Sequence, residues 1–327
     1  MVESSEGGRF RQICRGLAMG LLVTFATLAA LEVFLRIADF RELREGVSER
    51  SLSYRYDPEL GWAPVPSSTS SASNARTVQV RHNSLGLRDE EFTLDAKPTI
   101  LFLGDSFVWG LDSESDERFS ELLKPRIKSH KILAAGVSGY GTDQEYLLLK
   151  KLWPQVRPAI VVLMFCTQND RGDNSTNIRY EGYHKPYFTI APDGSLELKG
   201  QPVPLSRLQY IKEVWWVRHS WLARLANAVY LKIRYPKLDV PDPTERLVDE
   251  MARFVTANGA TFLVGIQSTD EALMRHLSNR RIPFVSFDGA PAYEGKSEGG
   301  HWTPEGQKVV ADKLFGLLSD TRAIAPN

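Results

Sequence analysis

The segment PTILFLGDSF, residues 98–107, decides the fold of this chain. Its residues 99–103 form a short, continuous apolar run that Gly104 ends, a pattern typical of a strand buried on both faces of a sheet. A polar turn, Asp105-Ser106, follows at once. The segment therefore predicts a buried strand that presents polar side chains at its carboxyl end.

Similar short runs recur along the chain, separated by segments with helical patterning. The predicted strands after the first are Lys131–Ala135, Ala159–Cys166, Thr261–Ile266 and Ile282–Phe287. The predicted helices are Asp116–Ile127, Thr142–Trp153 and Thr303–Ser319, the last with Thr303 as N-cap and Pro304 as its first residue. Alternating strands and helices predict an α/β fold with a parallel sheet.

Three chemically useful side chains fall at strand ends or helix starts. Ser106 follows the first strand, Asn169 follows the third, and His301 precedes the last helix, while Gly139 follows the second strand. Ligands of parallel sheets bind beyond the carboxyl ends of the strands. Each residue alone fits a plain turn or cap. Together they supply a nucleophile, an oxyanion donor and a general base, which indicates acyl-ester chemistry.

The same segments resemble a known family. Gly104-Asp105-Ser106, Gly139, Asn169 and His301 look like the four blocks of the SGNH (GDSL-type) hydrolase superfamily, over about residues 98–318. Residues 83–88 and 136–143 also resemble membrane-anchored bacterial members.

That resemblance implies a flavodoxin-like, three-layer parallel sheet and ester hydrolysis. It implies Ser106 as nucleophile and His301 as base, with Asp105 bracing the turn that presents Ser106. The implied oxyanion donors are the backbone N–H groups of Ser106 and Gly139 and the side-chain amide of Asn169.

The chain departs from the family pattern at three positions. The acid expected three residues before the histidine is Glu298 rather than Asp. Either Glu298 orients the imidazole, or Ser106 and His301 act as a dyad. Ala134 and Gln168 replace the usual Asn and Gly of the second and third blocks. These changes predict a narrower or differently hydrogen-bonded oxyanion pocket.

The N-terminal part carries an uncharged run, GLAMGLLVTFATLAAL at residues 16–31, that continues past Glu32 to Leu35. This length approaches the roughly 20 residues of a transmembrane helix. We expect an uncleaved single-span anchor; a signal peptide with a weak cleavage site at residues 27–29 and a buried core helix are the alternatives. Arginines flank the run on both sides, so the orientation rests on a modest preference for an external large domain.

These patterns divide the chain into a cytoplasmic tail (1–15), a transmembrane anchor (16–38), a stalk and lead-in segment (39–97) and the hydrolase-like domain (98–322) with an insert at about 171–240. Charged residues 40–60 predict a helical or irregular stalk, and Ser-rich residues 65–75 a flexible connection. The insert predicts a hairpin over residues 187–198 and a long helical stretch, Leu205–Tyr235. That stretch fits a lid, a partner surface, a helix near the membrane or ordinary packing onto the sheet.

Composition excludes some classes of function. Lys+Arg and Asp+Glu both number 40, so no global basic field favours nucleic acid as a partner. The two cysteines lack metal-ligand spacing, and we expect neither a metal nor an organic cofactor.

The sequence therefore predicts an enzyme of the cell membrane whose periplasmic or extracellular domain deacylates an envelope carbohydrate or another ester. An O-acyltransferase acting on a polysaccharide and a non-catalytic envelope assembly protein are the alternatives.

Overall fold

The computed structural model describes residues 3–44, 53–180, 182–294 and 300–324. The chain forms two compact units. The helical unit comprises Met1–Gly46 and Ser206–Pro236, and the sheet unit comprises Val47–Leu205 and Lys237–Asn327.

The strands of the described residues all belong to the sheet unit. They are β1 (Tyr54–Asp57), β2 (Gly61–Pro64), β3 (Thr69–Ser73), β4 (Thr77–Arg81), β5 (Thr99–Gly104), β6 (Lys131–Gly136), β7 (Ile160–Phe165), β8 (Ile178–Arg179), β9 (Tyr183–His184), β10 (Tyr187–Ile190), β11 (Leu196–Lys199), β12 (Thr261–Ile266) and β13 (Phe284–Ser286).

The helices are divided between the two units. They are α1 (Glu3–Ala38), α2 (Ser106–Trp109), α3 (Phe119–Leu123), α4 (Thr142–Val156), α5 (Asp170–Asn174), α6 (Arg207–Glu213), α7 (Trp215–His219), α8 (Trp221–Arg234), α9 (Thr244–Ala257), α10 (Glu271–Arg280) and α11 (Pro304–Asp320). Short 3₁₀ turns cover Arg41–Leu43 and Ser115–Glu117.

The central sheet has five parallel strands in the order β13-β12-β7-β5-β6. This is the flavodoxin-like order, with the chain reversing direction across the sheet beside β5. Gly104 pairs with Gly136 on one side and with Met164 on the other, so three strands end at one level. The predicted α/β fold with a parallel sheet is confirmed.

Alternate side chains of the sheet enter two helical layers, because successive residues of a strand point to opposite faces. On one face Phe102 packs edge-on against Phe119 of α3, with ring centroids 5.2 Å apart, and α11 covers the same cluster. On the other side α4 packs against α9. All residues of β5 and β7 are buried, and each large apolar side chain contributes about 1.5–3 kcal/mol.

The predicted irregular stalk and flexible connection are wrong for residues 54–81, which form two antiparallel hairpins, β1-β2 and β3-β4. Trp62 is only 2% exposed, and Val78 and Val80 pack with Ala72 around Trp109. The serines of β3 hid this strand, because its apolar partners lie on β4 and on α2. The division of the chain into tail, anchor, stalk and domain stays a prediction.

Two predicted helices are shorter than expected. The helix expected over residues 116–127 is only Phe119–Leu123, and a 3₁₀ turn, Ser115–Glu117, precedes it. The stretch Leu205–Tyr235 is three helices, separated at Val214 and Ser220, whose backbones are extended. Ser220 caps α8 by accepting a hydrogen bond from the backbone N–H of Ala223 at 3.1 Å.

In the helical unit, α1 contains Gly8–Ala38, the one helix of the described residues long and apolar enough to cross a membrane, with a mean hydropathy of 2.0. A signal sequence passes the same test. The segment Ser206–Pro236 groups with α1, against which α8 packs.

Candidate active site

Ser106 begins α2 directly after β5. Asp105 caps this helix: its Oδ1 accepts a hydrogen bond from the Phe107 N–H at 2.9 Å. Its Oδ2 lies 3.3 Å from the Ser106 hydroxyl oxygen, whose one proton goes either to Asp105 or to His301. The turn is tight, since a Cβ on Gly104 would lie 2.5 Å from the Val108 side chain. The bracing role of Asp105 stays a prediction, and these are the contacts it would use.

His301 meets Ser106 although 195 residues separate them. Its Nε2 lies 2.8 Å from the Ser106 hydroxyl oxygen, and its ring stacks at a tilt on Phe107 with centroids 4.7 Å apart. The loop is fixed by a hydrogen bond from the Tyr293 N–H to the His301 carbonyl at 2.9 Å. Thr303 then caps α11, as the sequence predicts.

The carboxylate beside the other imidazole nitrogen belongs to Asp112. Its Oδ2 lies 3.5 Å from Nδ1 of His301, the outer limit of a hydrogen bond. The predicted orienting acid, Glu298, lies outside the described residues. Asp112 follows Ser106 by six positions, and left-handed backbone at Gly110 (φ 81°) and Asp112 (φ 66°) turns it back toward the imidazole.

Asp112 is fully buried yet remains ionised. Burial favours the neutral acid, but the facing imidazole of His301 and hydrogen bonds from Asn74 and the Arg76 backbone outweigh it and lower the pKa of Asp112 below its ordinary value. The Asn74 amide donates to Oδ2 at 2.7 Å, and the Ala75 N–H donates to Oδ1 at 2.8 Å. The turn between β3 and β4 therefore holds a negative charge next to His301.

Gly139 has a φ of 83°, which a residue with a side chain rarely adopts. A Cβ there would lie 2.2 Å from the Tyr180 ring. Glycine is therefore required at this position because Tyr180 fills the space beside it.

Asn169 follows β7 and is held by Asp173. Its side-chain N–H donates to Oδ2 of Asp173 at 2.8 Å, and Arg179 pairs with the other oxygen of Asp173 at 2.9 Å. The amide has two N–H groups, so this bond leaves one for another acceptor. Burial raises the pKa of Asp173 to about 6, against the opposing effects of Arg179 and Asn169.

Acidic side chains gather beneath the serine. Asp105, Glu145 and Asp170 are buried, and desolvation together with their mutual repulsion raises the pKa of Glu145 and of Asp170 well above the ordinary value. Among the described residues, no group of three or more His, Cys, Asp or Glu side chains is arranged to hold a metal ion.

The predicted residues therefore fall into three groups. Ser106, His301 and Asp105 are in contact. Gly139 and Asn169 lie on the loops that follow β6 and β7, so the strand register sets them at the edge that Ser106 occupies. Glu298 is not described.

Sequence reasoning missed Asp112, Asp173 and Tyr180. The signal for Asp112 was its position two residues after Gly110, a glycine suited to reversing the chain.

Comparisons with known proteins give distant neighbours. No protein-family model and no curated protein matches the chain. Among solved structures, TesA is 14% identical with a TM-score of 0.41, over 68% of this chain and 98% of TesA. A lipolytic G-D-S-L family member from Veillonella parvula DSM 2008 is 11% identical with a TM-score of 0.38, covering 68% and 98%.

A carbohydrate acetylesterase family member from Sinorhizobium meliloti is 15% identical with a TM-score of 0.36, covering 69% of this chain and 100% of the neighbour. At such identities and TM-scores these neighbours resemble the chain in fold alone.

Proposed function

We propose that this chain is a serine-dependent ester hydrolase. The observation that carries the proposal is the 2.8 Å contact between the Ser106 hydroxyl and Nε2 of His301 at the carboxyl edge of the sheet. A serine hydroxyl is a weak nucleophile until a base removes its proton, and an imidazole at hydrogen-bond distance can do so.

In the proposed reaction, Ser106 Oγ attacks the ester carbonyl carbon while Nε2 of His301 takes the hydroxyl proton. The tetrahedral intermediate then collapses, the bond to the alcohol oxygen breaks, and His301 returns the proton to the leaving alcohol. Water then attacks the acyl-serine carbonyl while His301 takes a proton from it. The bond to Ser106 Oγ breaks, Ser106 regains its proton from His301, and the carboxylic acid leaves. The charge on the carbonyl oxygen develops where fixed donors contribute about 3–4 kcal/mol each.

We assign the orienting role to Asp112. A carboxylate next to Nδ1 favours the tautomer with a proton on Nδ1, which leaves Nε2 free to accept the proton of Ser106. It also stabilises the imidazolium that forms. The support is the 3.5 Å approach and the lowered pKa of this buried carboxyl.

The proposed oxyanion donors are the N–H groups of Ser106 and Gly139 and the second side-chain N–H of Asn169. Asp173 supports this role because it fixes the amide through the 2.8 Å hydrogen bond. A held amide loses less entropy in the transition state than a free one.

The proposed substrate is an acylated carbohydrate of the cell envelope, with acetyl as the acyl group. Its support is α1, which has the length and composition of a membrane span, and the resemblance to membrane-anchored bacterial proteins. The sheet unit would then act outside the cytoplasmic membrane. With a sugar hydroxyl in place of water, the same acyl-serine would lead to O-acyl transfer.

The test measures hydrolysis of an aryl acetate by the purified full chain. Ser106→Ala should lower kcat/KM by at least about 10³-fold. The matched control is Ser129→Ala, which removes a serine that also contacts an imidazole, at 2.9 Å from Nδ1 of His130. We expect this control to keep the full rate.

Equal rates for the wild type and Ser106→Ala would contradict the proposal and favour the non-catalytic assembly protein. Hydrolysis and transfer are separated with an O-acetylated polysaccharide carrying labelled acetyl groups. Free labelled acetate indicates hydrolysis, and label on an added sugar acceptor indicates transfer.

A further inference from the structure

The helical unit holds its insert helices against α1 through one acid. Glu32 accepts hydrogen bonds from the Ser220 hydroxyl at 2.9 Å and from the backbone N–H groups of Trp221 and Leu222 at 2.9 and 2.8 Å. It thereby satisfies the free N–H groups at the start of α8. Arg36, one turn later on α1, pairs with Glu32 at 2.7 Å and donates to the His219 carbonyl at 2.6 Å.

The position of Glu32 on α1 sets the depth of this contact. It is the first charged residue after the uncharged run of residues 16–31, and α1 ends at Ala38, about 9 Å further along the axis at 1.5 Å per residue. If the uncharged run occupies the hydrocarbon, Glu32 marks its boundary. The start of α8 then lies at the level where α1 enters the polar interface.

Helix α8 buries an arginine and exposes apolar side chains. Arg224 is only 6% exposed and donates hydrogen bonds to the carbonyls of Leu43 and Val217. Val229 and Ile233, on the outer side at helical spacing, are 50% and 77% exposed. A buried arginine and an exposed apolar stripe fit a helix that lies at a boundary between apolar and polar surroundings.

Two tryptophans extend the same surface. Trp215 and Trp216 of α7 are 72% and 66% exposed. Tryptophan is enriched at membrane–water interfaces, where its amphipathic ring lies at the headgroup level. A large aromatic side chain exposed to water alone does not bury its apolar ring.

Charge also favours a lipid partner. Residues 206–236 contain six lysines and arginines and one acid, while the whole chain is balanced at 40 of each sign. A basic, amphipathic segment next to a transmembrane helix is the pattern that binds anionic headgroups. Lys232 and Arg234 are exposed beside Ile233.

We propose that residues 206–236 lie in the interface of a phospholipid bilayer that contains anionic lipids, on the side where α1 ends. Trp215, Trp216 and the outer face of α8 contact the acyl boundary, and the basic side chains contact the headgroups. Glu32 fixes the insert at this depth. The inference is independent of the proposed chemistry at Ser106.

The test uses tryptophan fluorescence of the full chain reconstituted in phosphatidylcholine–phosphatidylglycerol vesicles, with bromine placed either near the headgroup or deep in the acyl chain. We expect stronger quenching by the shallow bromines. Trp215→Phe combined with Trp216→Phe should remove at least half of the quenching. Trp153→Phe, a half-buried tryptophan of the sheet unit, is the matched control and should leave the quenching unchanged.

Ile233→Lys provides a second reading that keeps every tryptophan. It should lower the shallow quenching about twofold while leaving the thermal midpoint in detergent unchanged. Replacing phosphatidylglycerol by phosphatidylcholine should also weaken the quenching, and Lys232→Gln with Arg234→Gln should abolish that difference.

Quenching that is insensitive both to the tryptophan pair and to Ile233→Lys would overturn the proposal. So would a shift in oligomeric state of Trp215→Phe/Trp216→Phe in detergent by sedimentation, because it would assign this face to a second copy of the chain.

Discussion

Two Ser–His contacts of nearly equal length lie in different regions of the part of the chain that the structure describes. Ser106 and His301 approach to 2.8 Å, and Ser129 and His130 to 2.9 Å. The first pair joins segments 195 residues apart at the carboxyl edge of the central sheet. The second is a pair of neighbours in the chain that precedes β6 at the amino edge, with Ser129 exposed.

The charged groups near the two imidazoles have opposite signs. The buried carboxylate of Asp112 faces Nδ1 of His301, whereas burial and the nearby charge of Lys97 lower the pKa of His130. A carboxylate stabilises the imidazolium that a general base becomes, and a cation opposes it. The comparison teaches that a short Ser–His contact acquires chemical meaning only from the charge and the strand edge around it.

The largest loss of activity is expected from a substitution that removes the negative charge beside His301. Asp112→Asn should lower kcat/KM for an aryl acetate by about 10³-fold, because the amide offers an N–H to Nδ1 and favours the wrong tautomer. Asparagine tolerates the left-handed backbone at this position, so the fold is preserved. The measurement is steady-state kinetics alongside circular dichroism.

Glu298→Gln is the control for this substitution, and we expect its rate to stay within about twofold of the wild type. The opposite pattern, a loss in Glu298→Gln with Asp112→Asn unaffected, would return the orienting role to Glu298.

A third imidazole extends the comparison to stability. Burial lowers the pKa of His82 to about 4, and its Nε2 accepts a hydrogen bond from the Trp109 indole at 3.1 Å. The unfolded chain protonates this histidine near its ordinary pKa of about 6.5. The unfolded state thus binds more protons between these values, so stability falls as the pH falls from about 6.5 to 4, by on the order of 3 kcal/mol.

His82→Gln should remove this contribution, since Gln can still accept the indole N–H. The measurement is the free energy of unfolding by urea at pH 7 and pH 4 for both proteins. Between pH 7 and pH 4, the free energy of unfolding of the wild type should fall by about 3 kcal/mol more than that of His82→Gln. A difference that is constant with pH would show that His82 is not held neutral.

A smaller loss of activity is expected when the side-chain amide of Asn169, at the carboxyl edge of the sheet, is removed. Asn169→Ala should lower kcat about 10²-fold with little change in KM, because an oxyanion donor acts mainly in the transition state. The matched control is Asn258→Ala at the amino edge, whose amide bonds the Phe254 carbonyl at 2.8 Å. Comparable losses in the two variants would mean that Asn169 acts through the fold.

The central strands could be predicted from the sequence because a strand buried on both faces consists almost entirely of apolar residues. β5 and β7 are buried along their whole length, and such strands carry continuous apolar runs. Ser106 and His301 were found for a similar reason: both lie in short segments directly at a strand end or before a capped helix.

The rest depended on contacts that are distant in sequence. β3 consists mostly of serine and threonine, and its burial comes from Val78 and Val80 of β4 and from Trp109. Asp112 acquires its position only through a left-handed turn and through donors from residues 74–76. The insert helices take their place from Glu32, which precedes them by nearly two hundred residues.

The most direct measurement of the central claim is mass spectrometry after reaction of the full chain with an active-serine phosphonate probe. The account predicts a single adduct on Ser106 that forms at least about 100-fold more slowly in His301→Ala, with Ser129 unmodified in both proteins. An equal labelling rate in His301→Ala, or an adduct on another serine in place of Ser106, would contradict it.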